Sequence, residues 1–179
     1  IAQALVGEGL QGGMRWLAFS SVVLLVVGFG FKTSLVPFHQ WAPDTYEGAP
    51  TPITGFLSTA SKAAGFALMV RVFIVALPSF AIDWLTVLAG VSMITMTLGN
   101  FVAIFQNNIK RLLAYSSIAR AGYTLIGLVT LSQDGSGASM FYLLMYVFTN
   151  IAAFGVIIIV SNVTKSDDLK DLAGLNRRS

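Results

Sequence analysis

Long apolar runs separated by short polar breaks dominate the chain. A helix that crosses the hydrocarbon core of a bilayer needs about 20 mostly apolar residues. Five stretches have that length and character: 15–35, 52–77, 81–106, 109–131 and 138–163. Breakers divide them. Pro78 ends the second run, and Asn107-Asn108 separates the third from the fourth. The run Ser132-Gln133-Asp134-Gly135-Ser136-Gly137 reads as a turn before the fifth. The end segments, 1–14 and 164–179, are more polar. The pattern predicts an all-α membrane protein: one transmembrane helix bundle over 1–179, with about five spans, one of them broken.

The break follows the first run. Residues 36–51 hold Pro37, Pro43 and Pro50 together with His39, Asp44, Glu47 and Gly48. Trp41 and Tyr46 are rings of the kind that sit at membrane interfaces. Pro37 lacks a backbone donor and clashes with the preceding turn, so the first helix is expected to break near 35–37. A short second half-helix is expected beyond it, before the chain turns back. Broken helices at membrane depth are tolerated only where protein buries them or water lines them. In transporters they mark the path of ions or substrates.

Composition agrees. The chain is 55% hydrophobic and 11% charged, with mean hydropathy +0.76, whereas soluble domains carry about 25% charged residues. So few charges cannot clothe a soluble surface. The chain starts at Ile1 without a signal peptide, and the expectation is an internal piece of a longer protein. With no cysteine and one histidine, cysteine-ligated iron–sulfur clusters and bis-histidine haem are excluded within this chain. No GxGxxG or GxxxxGK cradle for phosphates is present. No cofactor and no metal is expected in this chain, and any electron transfer belongs to other chains.

The net charge of +3 reads as a topology signal and not as a nucleic-acid footprint. With five spans, Lys110, Arg111, Lys165, Lys170, Arg177 and Arg178 share one side, opposite Arg15 and Arg71. The positive-inside rule then places the C-terminal tail in the cytoplasm.

The candidate chemistry lies in charged residues within apolar runs. A charge at bilayer depth costs at least ~2.5–3.5 kcal/mol, which makes an intramembrane lysine a functional-site hypothesis. Lys62, in SKAAGF, lies about ten residues into the second run, or about 15 Å deep at ~1.5 Å per residue. Snorkelling to either interface is hard from there. Desolvation brings the charged and neutral forms of a buried amine closer in energy, as a proton relay requires. Lys32, in GFGFKTSLVP, is either a second relay site or an interfacial anchor, and Gly28 and Gly30 let a helix or water come close. The two lysines lie on different helices and need a water chain to connect them. His39, with a reference pKa of ~6.5, is a candidate relay or a structural hydrogen-bonding group. Asp44 and Glu47 read as structural carboxylates at the break, pairing with a cation or capping the half-helix. Arg120, in YSSIARAGY, stays protonated and is a candidate fixed charge. Ser58, Ser61, Ser116, Ser117, Thr149 and Asn150 are polar groups that bond between helices or hold water. The aromatic residues Phe141, Tyr142, Tyr146, Phe148 and Phe154 read as packing groups.

The stretch FKTSLVPFHQWAPDTYEGAPTPITGFLSTASKAAGF closely resembles the antiporter-like membrane subunits of respiratory complex I. These belong to the proton-conducting membrane transporter family shared with multisubunit cation/proton antiporters. KRLLAYSSIARAGY, FYLLMYVFTNIAAFGVI and DDLKDLAGL resemble it too, so the resemblance covers essentially the whole chain. It implies a fragment of a fold of about fourteen helices with two inverted repeats, each containing a broken helix. It maps the family's broken-helix lysine to Lys32 and its central lysine to Lys62, both on a hydrated proton route. The glutamate partner of Lys32 would precede Ile1, and a second broken helix would follow Ser179. Many members carry histidine in YSSIAH where this chain has Arg120, which favours a fixed charge there.

The implied function is proton translocation in an NADH–quinone oxidoreductase, coupled to quinone reduction elsewhere. The implied partners are the lipid bilayer and the other membrane-arm subunits, with quinone and NADH or ferredoxin handled by those subunits. The implied setting is a prokaryotic plasma membrane, or an organellar inner or thylakoid membrane. Three other readings compete. One is a subunit of a multisubunit sodium/proton antiporter or membrane-bound hydrogenase, which shares the lysine and proline features. Another is a structural membrane scaffold, which would tolerate Lys62→Leu. The weakest is a quinone-binding subunit, for which no redox ligands or pocket are recognisable.

Overall fold

The structure is a computed structural model describing residues 12–172. In chain order the helices are α1 (Gly12–Thr33), α2 (Trp41–Gly48), α3 (Thr51–Ala76), α4 (Ala81–Ile104), α5 (Ile109–Val129) and α6 (Gln133–Thr164). Helix α3, the Trp84–Ile104 part of α4, α5 and α6 are long and apolar enough to cross a membrane, and α1 adds a shorter apolar stretch, Phe19–Thr33. Among the described residues the β-structure is one isolated bridge, Asn108 to Asp168.

Helix α1 stops two residues before the expected Leu35. Ser34 turns into the left-handed region at φ 62°, and the Leu35 amide donates back to the Gly30 carbonyl at 2.8 Å. Neighbouring elements satisfy the interrupted backbone. The Val36 amide donates to Thr95 Oγ1 of α4 at 3.1 Å, and Trp41 Nε1 donates to the Phe31 carbonyl at 2.9 Å. Leu35, Ser34 and Val36 are all buried, as broken backbone at membrane depth requires. Gly30 lies under the Phe38 ring, which folds back over the end of α1 where a Cβ would stand.

Helix α3 ends at Ala76, one residue before the expected Leu77. Pro78 opens a 3-10 turn, Pro78–Phe80, that leads into α4. Two π-helical turns interrupt α3, Leu57–Ser61 and Arg71–Ala76. Such turns are rare and gather at functional sites. The first ends immediately before Lys62.

The expected turn at 132–137 is helix instead. Ser132 caps α6, its Oγ accepting from the Gly135 amide at 2.9 Å, so the helix starts five residues before the expected Ala138. The glycines that suggested a turn serve a crossing. A Cβ on Gly127 would run into Ser139 Oγ and the Gly135 carbonyl. Ser139 Oγ donates to the Thr124 carbonyl across the same contact at 2.7 Å.

Helices α4 and α5 form the closest pair, through glycine in the manner of small-residue membrane interfaces. A Cβ on Gly99 would stand 2.6 Å from the Ala119 backbone nitrogen, and one on Gly122 would stand 2.7 Å from Met96 Cγ. The main core joins Val22 and Val26 of α1, Phe66, Met69 and Phe73 of α3, Trp84 and Leu88 of α4, and Leu125 of α5. A smaller core, Val36, Ala42, Tyr46, Ala114 and Ile118, holds the half-helix α2 against α5.

Candidate functional site

Lys62 is 2% exposed, within the bundle. Its Nζ donates to Ser117 Oγ of α5 at 2.6 Å. No carboxylate pairs with it among the described residues. The cavity beside it is lined by Lys62 and Phe66 of α3, Ser117, Arg120, Ala121 and Thr124 of α5, and Leu143 and Tyr146 of α6. Its volume is ≈ 10 Å³, about the room one water needs. The α5 residues fall at spacings of three, one and three, a single helical face. Arg120 stacks on Tyr146, its Cζ 5.2 Å from the ring centroid. A guanidinium over a tyrosine face is held electrostatically without needing a carboxylate.

Lys32 is exposed and does not line this cavity. Its aliphatic stem reaches α3 at Gly65, one turn beyond Lys62. A Cβ on Gly65 would stand 2.8 Å from Thr33 Cγ2 and 3.5 Å from Lys32 Cγ. Glycine therefore lets the broken end of α1 lie directly on α3. His39 also lies outside the cavity. Its ring meets Tyr115 edge-on at 6.4 Å, and its buried Nδ1 has no hydrogen-bond partner among the described residues.

The break segment serves as a docked arm. Pro43 is buried inside α2, Gly48 ends the helix, and Pro50 precedes α3. Pro37 is exposed at the break. Asp44 and Glu47 both bind Arg111 of α5, at 2.6 and 2.8 Å, which supplies the cation expected for them. The C-terminal carbonyls of α2, the negative end of its dipole, are met by Lys110: Nζ donates to the Glu47 carbonyl at 3.1 Å and the Ala49 carbonyl at 3.5 Å. Lys110 also pairs with Asp167 at 2.8 Å, so the lysine ties α2, α5 and the tail after α6 together. Ile109 and Asn107 complete that tie through backbone bonds to Asp167 and Leu169, both 2.9 Å. Burial works against the ionised Asp167 carboxylate, but hydrogen bonds from Lys110 and Ser161 prevail and hold its carboxyl below the usual carboxylate range.

Sequence reasoning took Lys110 and Arg111 for loop charges, and Tyr146 and Tyr46 for packing or interfacial rings. The structure buries Lys110, Tyr46 and Tyr146, while Arg111 stays partly exposed and binds the two carboxylates of α2. A signal existed for Tyr146, since Leu143, Tyr146, Asn150 and Phe154 recur on the buried face of α6. No local pattern marks Lys110 as the contact of a half-helix that lies 61 to 63 positions earlier.

Long apolar helices around a buried lysine, with a broken helix docked beside them, define the class: a polytopic membrane protein of transporter type. The family described as NADH:quinone oxidoreductase/Mrp antiporter, TM matches residues 4–179, and the chain belongs to that family. It is 55% identical, over its whole length and 37% of the relative, to NADH-quinone oxidoreductase subunit N of Moorella thermoacetica. It is 54% identical to subunit N of Heliobacterium modesticaldum, over 88% of this chain and 34% of the relative. Respiratory complex I from Thermus thermophilus contains a chain that superposes with TM-score 0.67 and 43% identity, over 85% of this chain and 32% of that one. These relatives agree with the sequence wording, in which PFHQWAPDTYEGAPTP followed by SKAAGF is most like subunit N, or subunit 2. The chain spans about a third of the length of the curated relatives it matches.

Proposed function

We propose that this chain is the middle part of a proton-translocating membrane subunit of an NADH–quinone oxidoreductase, with Lys62 as a proton relay. One observation carries the reading: a lysine 2% exposed, mid-way along a membrane helix, whose ammonium has a serine hydroxyl as its partner and no carboxylate among the described residues. A permanently charged lysine so placed would be expensive. A lysine that alternates between charged and neutral forms avoids holding that cost, and such alternation moves protons.

The surrounding groups have distinct roles. Ser117 Oγ orients the amine, and a hydroxyl can accept one proton while giving up another. Arg120, stacked on Tyr146, serves as a fixed charge beside the cavity and does not carry the proton. Lys32 approaches α3 one turn from Lys62 and is the neighbouring relay, joined to it through water. His39 serves this route only if water links it to the cavity, and no direct contact does so. Electrons, quinone and NADH or ferredoxin belong to other subunits, whose reduction chemistry would act on this path indirectly. The tail and the α4–α5 loop, joined through Lys110 and Asp167, lie on the cytoplasmic side by the loop-charge argument.

The test is proton pumping in inverted membrane vesicles carrying the complete complex with Lys62→Ala, with assembly measured alongside. The expected result is lost pumping in an assembled complex. Normal pumping would return Lys62 to a structural role.

A further inference from the structure

Among the side chains that line the Lys62 cavity, Arg120 is the one whose charge never leaves it. It lies near the middle of α5, roughly 14–16 Å from either end at ~1.5 Å per residue. That is farther than an arginine snorkels to reach the headgroups. Stacking on Tyr146 holds the flat face of the guanidinium, with Cζ 5.2 Å from the ring centroid. Its five N–H donors lie along the edge, which stacking leaves open. No carboxylate pairs with Arg120 among the described residues. The same cavity also holds the Lys62 amine, so nothing described at this depth balances the arginine charge.

Arg120 is partly exposed, and polar groups gather beside it at the outer surface. The Tyr142 hydroxyl of α6 lies next to the guanidinium, with the Tyr123 hydroxyl nearby. Tyr123 is 37% exposed and stands one turn along α5 from Arg120. Its oxygen accepts from Asn100 Nδ2 of α4 at 2.6 Å, which leaves its own O–H to donate. Asn100 is exposed as well. Elsewhere the outer surface is apolar, as at Phe141, Phe148 and Ile151 of α6. An arginine, two phenols and an amide clustered on spanning helices mark a face that protein covers and lipid does not.

We infer that this polar strip is the docking face of a further transmembrane helix, outside this chain, that carries one Asp or Glu at mid-depth to pair with Arg120. A carboxylate takes the guanidinium edge as a two-pronged partner, and the Tyr123 and Tyr142 hydroxyls supply further donors to its oxygens. A lipid phosphate does not fit, because headgroups lie outside a hydrocarbon core about 30 Å thick. A helix without an acid would leave the arginine charge buried and unpaired. The chain spans about a third of the curated relatives it matches, which leaves ample length for such a helix. Arg120 keeps its charge whichever form Lys62 takes, so the inference does not rest on the relay.

The test uses the complete complex in its native membrane, with p-benzoylphenylalanine in place of Met145, which is 43% exposed and one turn from Tyr142. Light-induced adducts are identified by mass spectrometry. The expected product is a spanning segment with an Asp or Glu near its middle. Arg120→Gln and the matching neutral variant of that acid are then made singly and together, and the yield of assembled complex is measured. Each single variant should lose assembly several-fold, and the double variant should recover most of it, because no buried charge is left alone. Adducts with lipid only, or with a helix that lacks an acidic residue, would overturn the inference. So would an unchanged yield for Arg120→Gln, or single losses that merely multiply in the double variant. The readout is assembly, so the outcome is separate from that of Lys62→Ala on pumping.

Discussion

At the scale of single residues, the bond from Lys62 to Ser117 tests how the buried amine is held. Ser117→Ala removes the one side-chain acceptor that Lys62 Nζ has among the described residues. Leaving a buried polar group unmet costs roughly 1–3 kcal/mol, so thermal unfolding of the assembled subunit in detergent should fall by that order. Pumping should decline less than in Lys62→Ala, because the proposed relay side chain itself remains. Lys62 was legible in the sequence because a charge in an apolar run is conspicuous. Ser117 was legible only as one of several small polar residues. The contact that distinguished it joins positions 55 apart in the chain, a separation that helical periodicity does not reach.

Between elements, the crossing of α1 on α3 depends on Gly65. Gly65→Ala would set a methyl 2.8 Å from Thr33 Cγ2, inside van der Waals contact. Overpacking of this kind costs roughly 1–3 kcal/mol. The variant should unfold earlier on heating, and proton flux should fall with it if Lys32 is displaced from α3. The clamp on α2 behaves differently. Arg111 pairs with an exposed Asp44 and a half-exposed Glu47, and such surface pairs contribute at most about 1 kcal/mol. Arg111→Ala should therefore leave the unfolding temperature nearly unchanged while hydrogen exchange at 41–48 quickens. Equal exchange in both proteins would show that the apolar contacts of Ala42 and Tyr46 suffice to hold the arm. The sequence located this arm through its prolines. Its partner on α5 was hidden, because Arg111 by composition alone is one more loop cation.

For the molecule as a whole, the tail and the α4–α5 loop form one closure around Lys110. Asp167 is ionised more readily than an ordinary carboxyl because Lys110 and Ser161 bond to it. A carboxyl held low in the folded state adds stability that is complete above its unfolded value, near pH ~4, and is lost as pH falls through the lower folded value. Hydrogen exchange of 165–172 should thus be flat from pH 7 to about pH 5 after correction for intrinsic rates, and should quicken below about pH 4. Asp167→Asn should remove that acid step and cost roughly 1–3 kcal/mol, since Lys110 keeps its two carbonyl partners. By itself the sequence determined the membrane class, a bundle of about five apolar helices, a break in the first of them before Pro37, and the charge of Lys62 inside an apolar run. Each of these follows from hydrophobic length, the missing proline donor or the cost of a charge in lipid, all of which act locally along the chain. Only the tertiary structure decided which polar groups meet. It set Ser117 on Lys62, Arg120 on Tyr146, and Lys110 between α2 and Asp167, because those contacts depend on how helices cross, and crossing is fixed by glycines and side-chain volumes distant in sequence.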